Sequence, residues 1–353
     1  MRTPTALIAA VLWAAALGPA PASAATPTCF GKKATIEGTA GDDRLKGTGR
    51  DDVIVGLRGD DHILGGGGRD RICAGPGDDT VGGERGRDSI SGHTGKDRLY
   101  GGPAADRLFA GGGIANDLLG GGGDDVLQGG PGFERLFGQE DDDILRGGEG
   151  VVDRAVYVFS DRRVLVDLAA GEARGEGRDA LRDIEDVEGS RHNDILYGDR
   201  NPNWFFPLPG ADRIDGRGST GDLVSLDAAK RAVVARTEGA TGQGADEFAR
   251  VEGLQGSRDF GDTLTGNGRP NVLLGIGGPD ELFGLDNDDW LDGGAGFDSG
   301  DGGDHVFEDR CIEVEEPVNC EVLGVSASFA RRDVPGVRAA RLGSAVPRAP
   351  RLR

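Results

Sequence analysis

The chain has 353 residues, 65 of them glycine, with 61 acidic against 40 basic side chains and a formal net charge of −21. Glycine at more than twice its usual share of roughly 7%, with aromatics at only 5%, argues against a large conventional core. The acidic balance argues against nucleic acid, whose phosphates need Lys and Arg, and suits a chain that collects cations.

The first predicted element is a processing signal over 1–24. Arg2 supplies a positive start, Ala6 to Leu17 is apolar but short for a bilayer span, and Pro19 and Pro21 break it. Ala22-Ser23-Ala24 has the A-x-A form of a cleavage site. Cleavage there predicts a secreted mature chain, extracellular or attached to the cell surface, with no transmembrane segment. In an oxidising place the four cysteines predict disulfides. Three pairings are open, and the most local joins Cys29 to Cys73 and Cys311 to Cys320. Zinc is disfavoured, because the cysteine spacings are wrong and the four histidines are scattered.

Residues 25–150 are periodic. From Gly38, blocks of nine read GTAGDDRLK, GTGRDDVIV, GLRGDDHIL, GGGGRDRIC, AGPGDDTVG, GERGRDSIS, GHTGKDRLY and GGPAADRLF. The sixth position is aspartate each time: Asp43, Asp52, Asp61, Asp70, Asp79, Asp88, Asp97 and Asp106. The eighth is aliphatic each time, from Leu45 and Ile54 to Leu99 and Leu108. The register then stumbles through Asp117 and Asp125, one residue too long for two repeats, which predicts a bulged turn. Glu134 replaces aspartate, and Asp143 ends the run.

A spacer follows over 151–188, whose Val164, Val166 and Leu168 alternate as in a strand. A short degenerate block over 189–221 carries Asp194, Asn203 and Asp212, and its Trp204-Phe205-Phe206 is expected to plug a coil rather than bind a ligand. A second spacer, 222–255, repeats the first: Gly175, Gly177, Glu185 and Gly189 map onto Gly242, Gly244, Glu252 and Gly256 at one offset. Both are expected to be longer-strand parts of one solenoid. The last block, 256–310, carries Asp262, Asn271, Asp280, Asp289 and Asp298. A disulfide-closed cap over 311–323 and a basic tail over 324–353 complete the division, the tail with seven arginines and one acid.

Glycine and aspartate in the first six positions tolerate tight turns and positive φ. The last three positions carry one inward aliphatic, a strand too short to pair within its own repeat. Two repeats then make a coil, and repeats i and i+2 stack about 4.8 Å apart. The expected fold is all-β, a right-handed parallel β-roll or β-helix solenoid with two intervening β spacer modules. Its aspartates form two columns, Asp43, Asp61, Asp79, Asp97 and Asp52, Asp70, Asp88, Asp106. Stacked carboxylates about 5 Å apart repel by roughly 1–3 kcal/mol. A divalent cation between coils reverses that sign, and calcium, a hard ion taking six to eight oxygens in flexible geometry, fits better than magnesium.

The repeat GGxGxDxUx, with U aliphatic, resembles the calcium-binding nonapeptide repeat of RTX proteins, closely over 38–146 and less evenly over 262–298. The two ends resemble the actinobacterial secreted form. The resemblance implies several Ca²⁺ ions held by turn carbonyls and by the aspartates at positions 43, 52, 61, 70, 79, 88, 97 and 106, together with Asp117, Asp125, Asp143, Asp194, Asp212, Asp262, Asp280, Asp289 and Asp298. Glu134, Asn203 and Asn271 depart from the motif and are not carried over.

No catalytic constellation is present. H-E-x-x-H and G-x-S-x-G are absent, no G-K-[ST] follows the glycine strings, and His62, His93, His192 and His305 fall mostly at outward positions. The expected function is secreted calcium binding in a structural or adhesive role. The partner would be a cell-wall or matrix polymer, and the oligomeric state stays open. The competing expectation is an extracellular hydrolase with its site in the spacers.

Overall fold

One aliphatic per nine residues leaves each strand a single face to bury, and the chain meets that demand by coiling. The computed structural model describes residues 26–150, 152–304, 310–314 and 316–322. It is a parallel β-solenoid of about 15 turns, and no helix occurs among the described residues. Alternate strands fall on opposite sides of the coil. Leu45 pairs in register with Ile63, and Ile54 with Ile72, the 18-residue step of two repeats per coil. One side is a 15-stranded sheet from Arg44–Lys46 to Glu321–Val322.

The core is a double file of eighth-position side chains. Ile54, Ile63, Ile72, Val81, Ile90, Leu99 and Leu108 are all fully buried, and Leu45 packs at its open end. Through the middle of the first roll the strands are longer than three residues. His62–Gly67 through Arg107–Gly112 each have six, because the ladder continues into the glycines expected to be turn: Gly66 pairs with Glu84, and Gly75 with His93. That continuation passes through a left-handed residue in each coil, such as Gly66 at φ 104° and Gly75 at φ 125°. Glycine enters that region without strain.

The spacers belong to the solenoid, and each has one longer, five-residue strand, but their strands also double back. In the first, Leu165–Asp167, Glu172–Arg174 and Arg178–Arg182 form an antiparallel meander. The chain leaps ahead, pairs Leu165 beside Ile195, and folds back until Ala180 lies beside Ile144. The second spacer repeats this with Val234–Arg236, Gly239–Thr241 and Ala245–Ala249. The parallel ladder is thus interrupted on one side only.

Phe205 occupies the core file with no exposure, so the aromatic triplet does plug its coil. Trp204 and Phe206 point outward, stack at 5.2 Å and pack with Leu223 and Leu274. Cys29 bonds to Cys73 and Cys311 to Cys320, with Cα separations of 5.6 and 5.8 Å. The first bridge clips the Thr28–Cys29/Lys32–Lys33 pair to the outside of the roll, where Val55 covers it. In the second, Cys311 takes an aliphatic position in the core. The expected processing signal, His305 and the basic tail lie outside the described residues.

Candidate metal-binding ladder

From Asp61 to Asp106 each sixth-position aspartate reaches back one coil. Its Oδ1 accepts the backbone N–H of the aspartate 18 residues earlier: Asp43 N–H donates to Asp61 at 2.8 Å, Asp61 to Asp79 at 2.8 Å and Asp79 to Asp97 at 3.0 Å. The other column does the same from Asp52 to Asp70, Asp88 and Asp106. The expected columns are therefore present, and a backbone donor holds one oxygen of each carboxylate.

The second oxygen decides the chemistry. In Asp61, Asp70, Asp79, Asp88, Asp97, Asp106, Asp125, Asp143, Asp212 and Asp280, Oδ2 is buried and has no hydrogen-bond partner. A buried anionic oxygen without a partner is strongly unfavourable. The glycine five residues earlier lets it approach the next coil. A Cβ on Gly65 would stand 2.7 Å from both Asp70 Oδ2 and Gly83 O, and one on Gly101 2.6 Å from both Asp106 Oδ2 and Gly120 O. Carboxylate and carbonyl oxygens thus crowd together with no hydrogen between them, the donor set a hard oxygen-seeking cation accepts. No three His, Cys, Asp or Glu side chains form a cage among the described residues. Carboxylates arrive singly beside main-chain carbonyls, so the donor set fits calcium held between coils and does not fit an all-side-chain site.

Burial drives these carboxyls up, most of all at the end of the first roll. Asp88 and Asp97 rise to about 6, Asp79 and Asp106 to about 7, Asp125 to about 8 and Asp143 to about 9. Asp212 rises to about 8 and Asp280 to about 7 for the same reason.

Four carboxylates are satisfied within the chain. Thr39, Thr48, Ser190 and Ser257 stand in the turn and donate N–H and hydroxyl to Asp43, Asp52, Asp194 and Asp262. Asn203 and Asn271 are satisfied differently: each Nδ2 donates to a main-chain carbonyl of the preceding coil, of Glu185 at 2.9 Å and Glu252 at 3.1 Å. Asp289 and Asp298 stand in the columns and accept from Asn271 and Asp280.

Asp117 does not stand in its column. The extra residue at the stumble puts Asn116 there, accepting Asp97 N–H at 2.8 Å. Asp117 pairs instead with Arg98 across the ladder, and its carboxylate takes a two-pronged grip from Arg135 at 2.7 and 2.9 Å. Its oxygens are thereby directed away from the turn.

Three features escaped the periodic reading. Fifth-position aspartates form an outer ladder in the opposite sense: Asp60 N–H donates to Asp42 Oδ1 and Asp78 N–H to Asp60 Oδ1. The recurrent Asp-Asp pairs were its signal. The columns also continue into the spacers. Asp153 accepts Glu134 N–H, Asp179 accepts Asp143 N–H, Asp222 accepts Asn203 N–H and Asp246 accepts Asp212 N–H. Finally, Glu134 is fully buried with Oε2 unpartnered, so the longer acid keeps its place in the column.

Residues 34–49, 46–81, 82–114, 119–151 and 265–300 match the family model of the RTX calcium-binding nonapeptide repeat. The chain is an RTX-type repeat protein. RTX nonapeptide repeats bind multiple Ca²⁺ ions, so calcium is this protein's cofactor. No curated protein matches the chain. RTX β-rolls are generally structural or binding elements rather than catalytic ones.

A cavity of about 360 Å³ opens where the second spacer of this RTX chain meets the last block, lined by Thr237, Glu238, Arg250, Glu252, Asn267 and Arg269 among others. Glu252 is its buried carboxylate, and Asp222 N–H and Arg269 already engage it. No His, Cys or Ser lines the cavity.

Proposed function

We propose that this RTX-type protein is an exported, non-catalytic calcium-binding element. It folds as calcium enters between its coils and then serves a structural or cell-surface role. The observation that carries the proposal is the file of buried, unpartnered aspartate oxygens beside turn glycines. The ligand carboxylates are those of Asp61, Asp70, Asp79, Asp88, Asp97, Asp106, Asp125, Asp143, Asp212 and Asp280. Asp289 and Asp298 continue the columns. Asp43, Asp52, Asp194 and Asp262 stand at the same level, but Thr and Ser already serve them. With so thin an apolar file, ion binding and folding are one event.

Two disulfides suit an oxidising compartment, which supports export. The seven arginines of 324–353 suit an anionic wall or matrix polymer. Calcium titration of the mature chain, followed by circular dichroism, tests the reading. A cooperative gain of β-signal is expected at roughly 10⁻⁴–10⁻³ M, the range of extracellular calcium modules. A chain that stays compact in excess chelator and takes up no calcium overturns it. Binding of the full chain to isolated wall polymer, lost when the tail is removed, tests the partner.

A further inference from the structure

The two spacers are structural copies. Asp153 and Asp222 each precede a three-residue strand, Arg154–Val156 and Leu223–Ser225. Each strand ends in the same turn, closed by Ser160 N–H to the Tyr157 carbonyl at 2.9 Å and by Ala229 N–H to the Leu226 carbonyl at 3.0 Å. The meander then brings up Asp179 in one copy and Asp246 in the other, where Oδ1 accepts Asp143 N–H at 3.2 Å and Asp212 N–H at 2.9 Å. Tyr157 and Leu226 thus hold equivalent places.

The copies differ at one hydroxyl. Tyr157 donates it to Asp179 Oδ2 at 3.1 Å. Leu226 has nothing to donate, and Asp246, only 5% exposed, keeps Oδ2 buried and unpartnered. Asp153 and Asp222 are wholly buried with Oδ2 unpartnered as well. Beside them lie the turn glycines Gly147 and Gly216, where a Cβ would collide with the carboxylate and with the carbonyl oxygen of Asp183 or Arg250. Asp183 and Arg250 both adopt left-handed backbone, φ 52° and 54°. Asp153 and Asp222 thus have the turn glycine and the carbonyl of the next coil found at Asp70 and Asp106, yet none of the four acids lies in a segment matching the nonapeptide model.

We propose that the calcium columns run on through the spacers at Asp153, Asp222 and Asp246, and break at Asp179, where the Tyr157 hydroxyl stands in for an ion. The proposal rests on the reading that unpartnered turn carboxylates are calcium ligands. Each insertion thus returns a carboxylate to the column it interrupts, and the second, whose Asp246 keeps a free oxygen, returns an ion site as well.

Native mass spectrometry of the full mature chain in saturating calcium counts the bound ions. Asp246→Asn and Asp222→Asn are each expected to lose one ion relative to the unaltered chain, and Asp179→Asn to lose none. Tyr157→Phe, which unmasks Asp179, is expected to gain one. An unaltered chain that takes up no calcium overturns the reading of the repeats beneath this proposal. An unaltered chain that loads normally, while Asp246→Asn keeps the full count or Tyr157→Phe gains nothing, overturns the spacer sites alone. If Asp246→Asn fails to fold, Tyr157→Phe decides by itself.

Discussion

The first roll and the last repeat block carry the same motif and use it differently. In the first, six-residue strands such as Thr80–Arg85 and Ser89–Thr94 bring successive backbones into register through the turn glycines. In the last, strands such as Val272–Leu274 and Glu281–Phe283 have three residues, and the turns meet only at isolated bridges, Gly277 with Ala295 and Asp286 with Asp304. The first roll also carries the longer file of unmet charge, from Asp61 to Asp143. In the last block Ser257 satisfies Asp262, and Asn271 replaces an acid with an amide that finds its own acceptor. Dependence on calcium is therefore expected to be greatest where the ladder runs on through the turns.

Removing calcium should separate the two regions most. At about 1–3 kcal/mol for each unmet buried oxygen, the eight acids of the first roll match or exceed the roughly 5–15 kcal/mol that holds a domain together. Hydrogen exchange after chelation should show amides of 44–146 losing protection before those of 263–301. Simultaneous loss along the whole chain would break the comparison.

Acid should restore part of what chelation removes. The buried carboxyls are raised above their ordinary value of 3.8, so the folded, ion-free chain binds more protons than the unfolded one. Its stability is then fully present below about pH 4 and falls as pH climbs. For the last block the fall continues to about 7, the level of Asp280, and for the first roll to about 9, the level of Asp143. Metal-depleted protein should melt at a lower temperature at about pH 8 than at about pH 5; the opposite order sinks the argument. Calcium affinity should run the other way, rising with pH as its ligands lose protons.

Opening the Cys29–Cys73 bridge, with its 44-residue separation, should cost about 2–4 kcal/mol. Urea unfolding of a Cys29→Ser/Cys73→Ser chain in saturating calcium should show that loss in the first roll and none in the last block. The smallest effect expected is a gain. Leu285 is held at φ 82° with its side chain largely in solvent, a conformation leucine resists. Leu285→Gly should stabilise the last block by about 1 kcal/mol, and a lower urea midpoint would show that its side chain matters more than its backbone strain.

Much of the ladder was legible because nine divides the chain so strictly. Once two repeats make a coil, Asp61 must stack on Asp43 and Ile63 on Leu45, whatever the remaining side chains are. The same arithmetic failed at a single added residue. Asn116 and Asp117 are neighbours, and composition favours the aspartate as ligand. The choice fell to Asn116 because Arg135, one coil on, is placed to grip Asp117. The six-residue strands were hidden for another reason: glycine reads as turn, yet a left-handed glycine still offers its N–H and carbonyl to the next coil.

The amino-acid sequence alone determined the coil, its aliphatic file and the acidic columns of the regular repeats, since a period binds each residue to the one a coil away. Only the tertiary structure decided which carboxylates lack partners and how the columns cross the spacers. Asp143 meets Asp179, and Asp212 meets Asp246, only after a meander has doubled back, and contacts made by such a return follow no spacing along the chain.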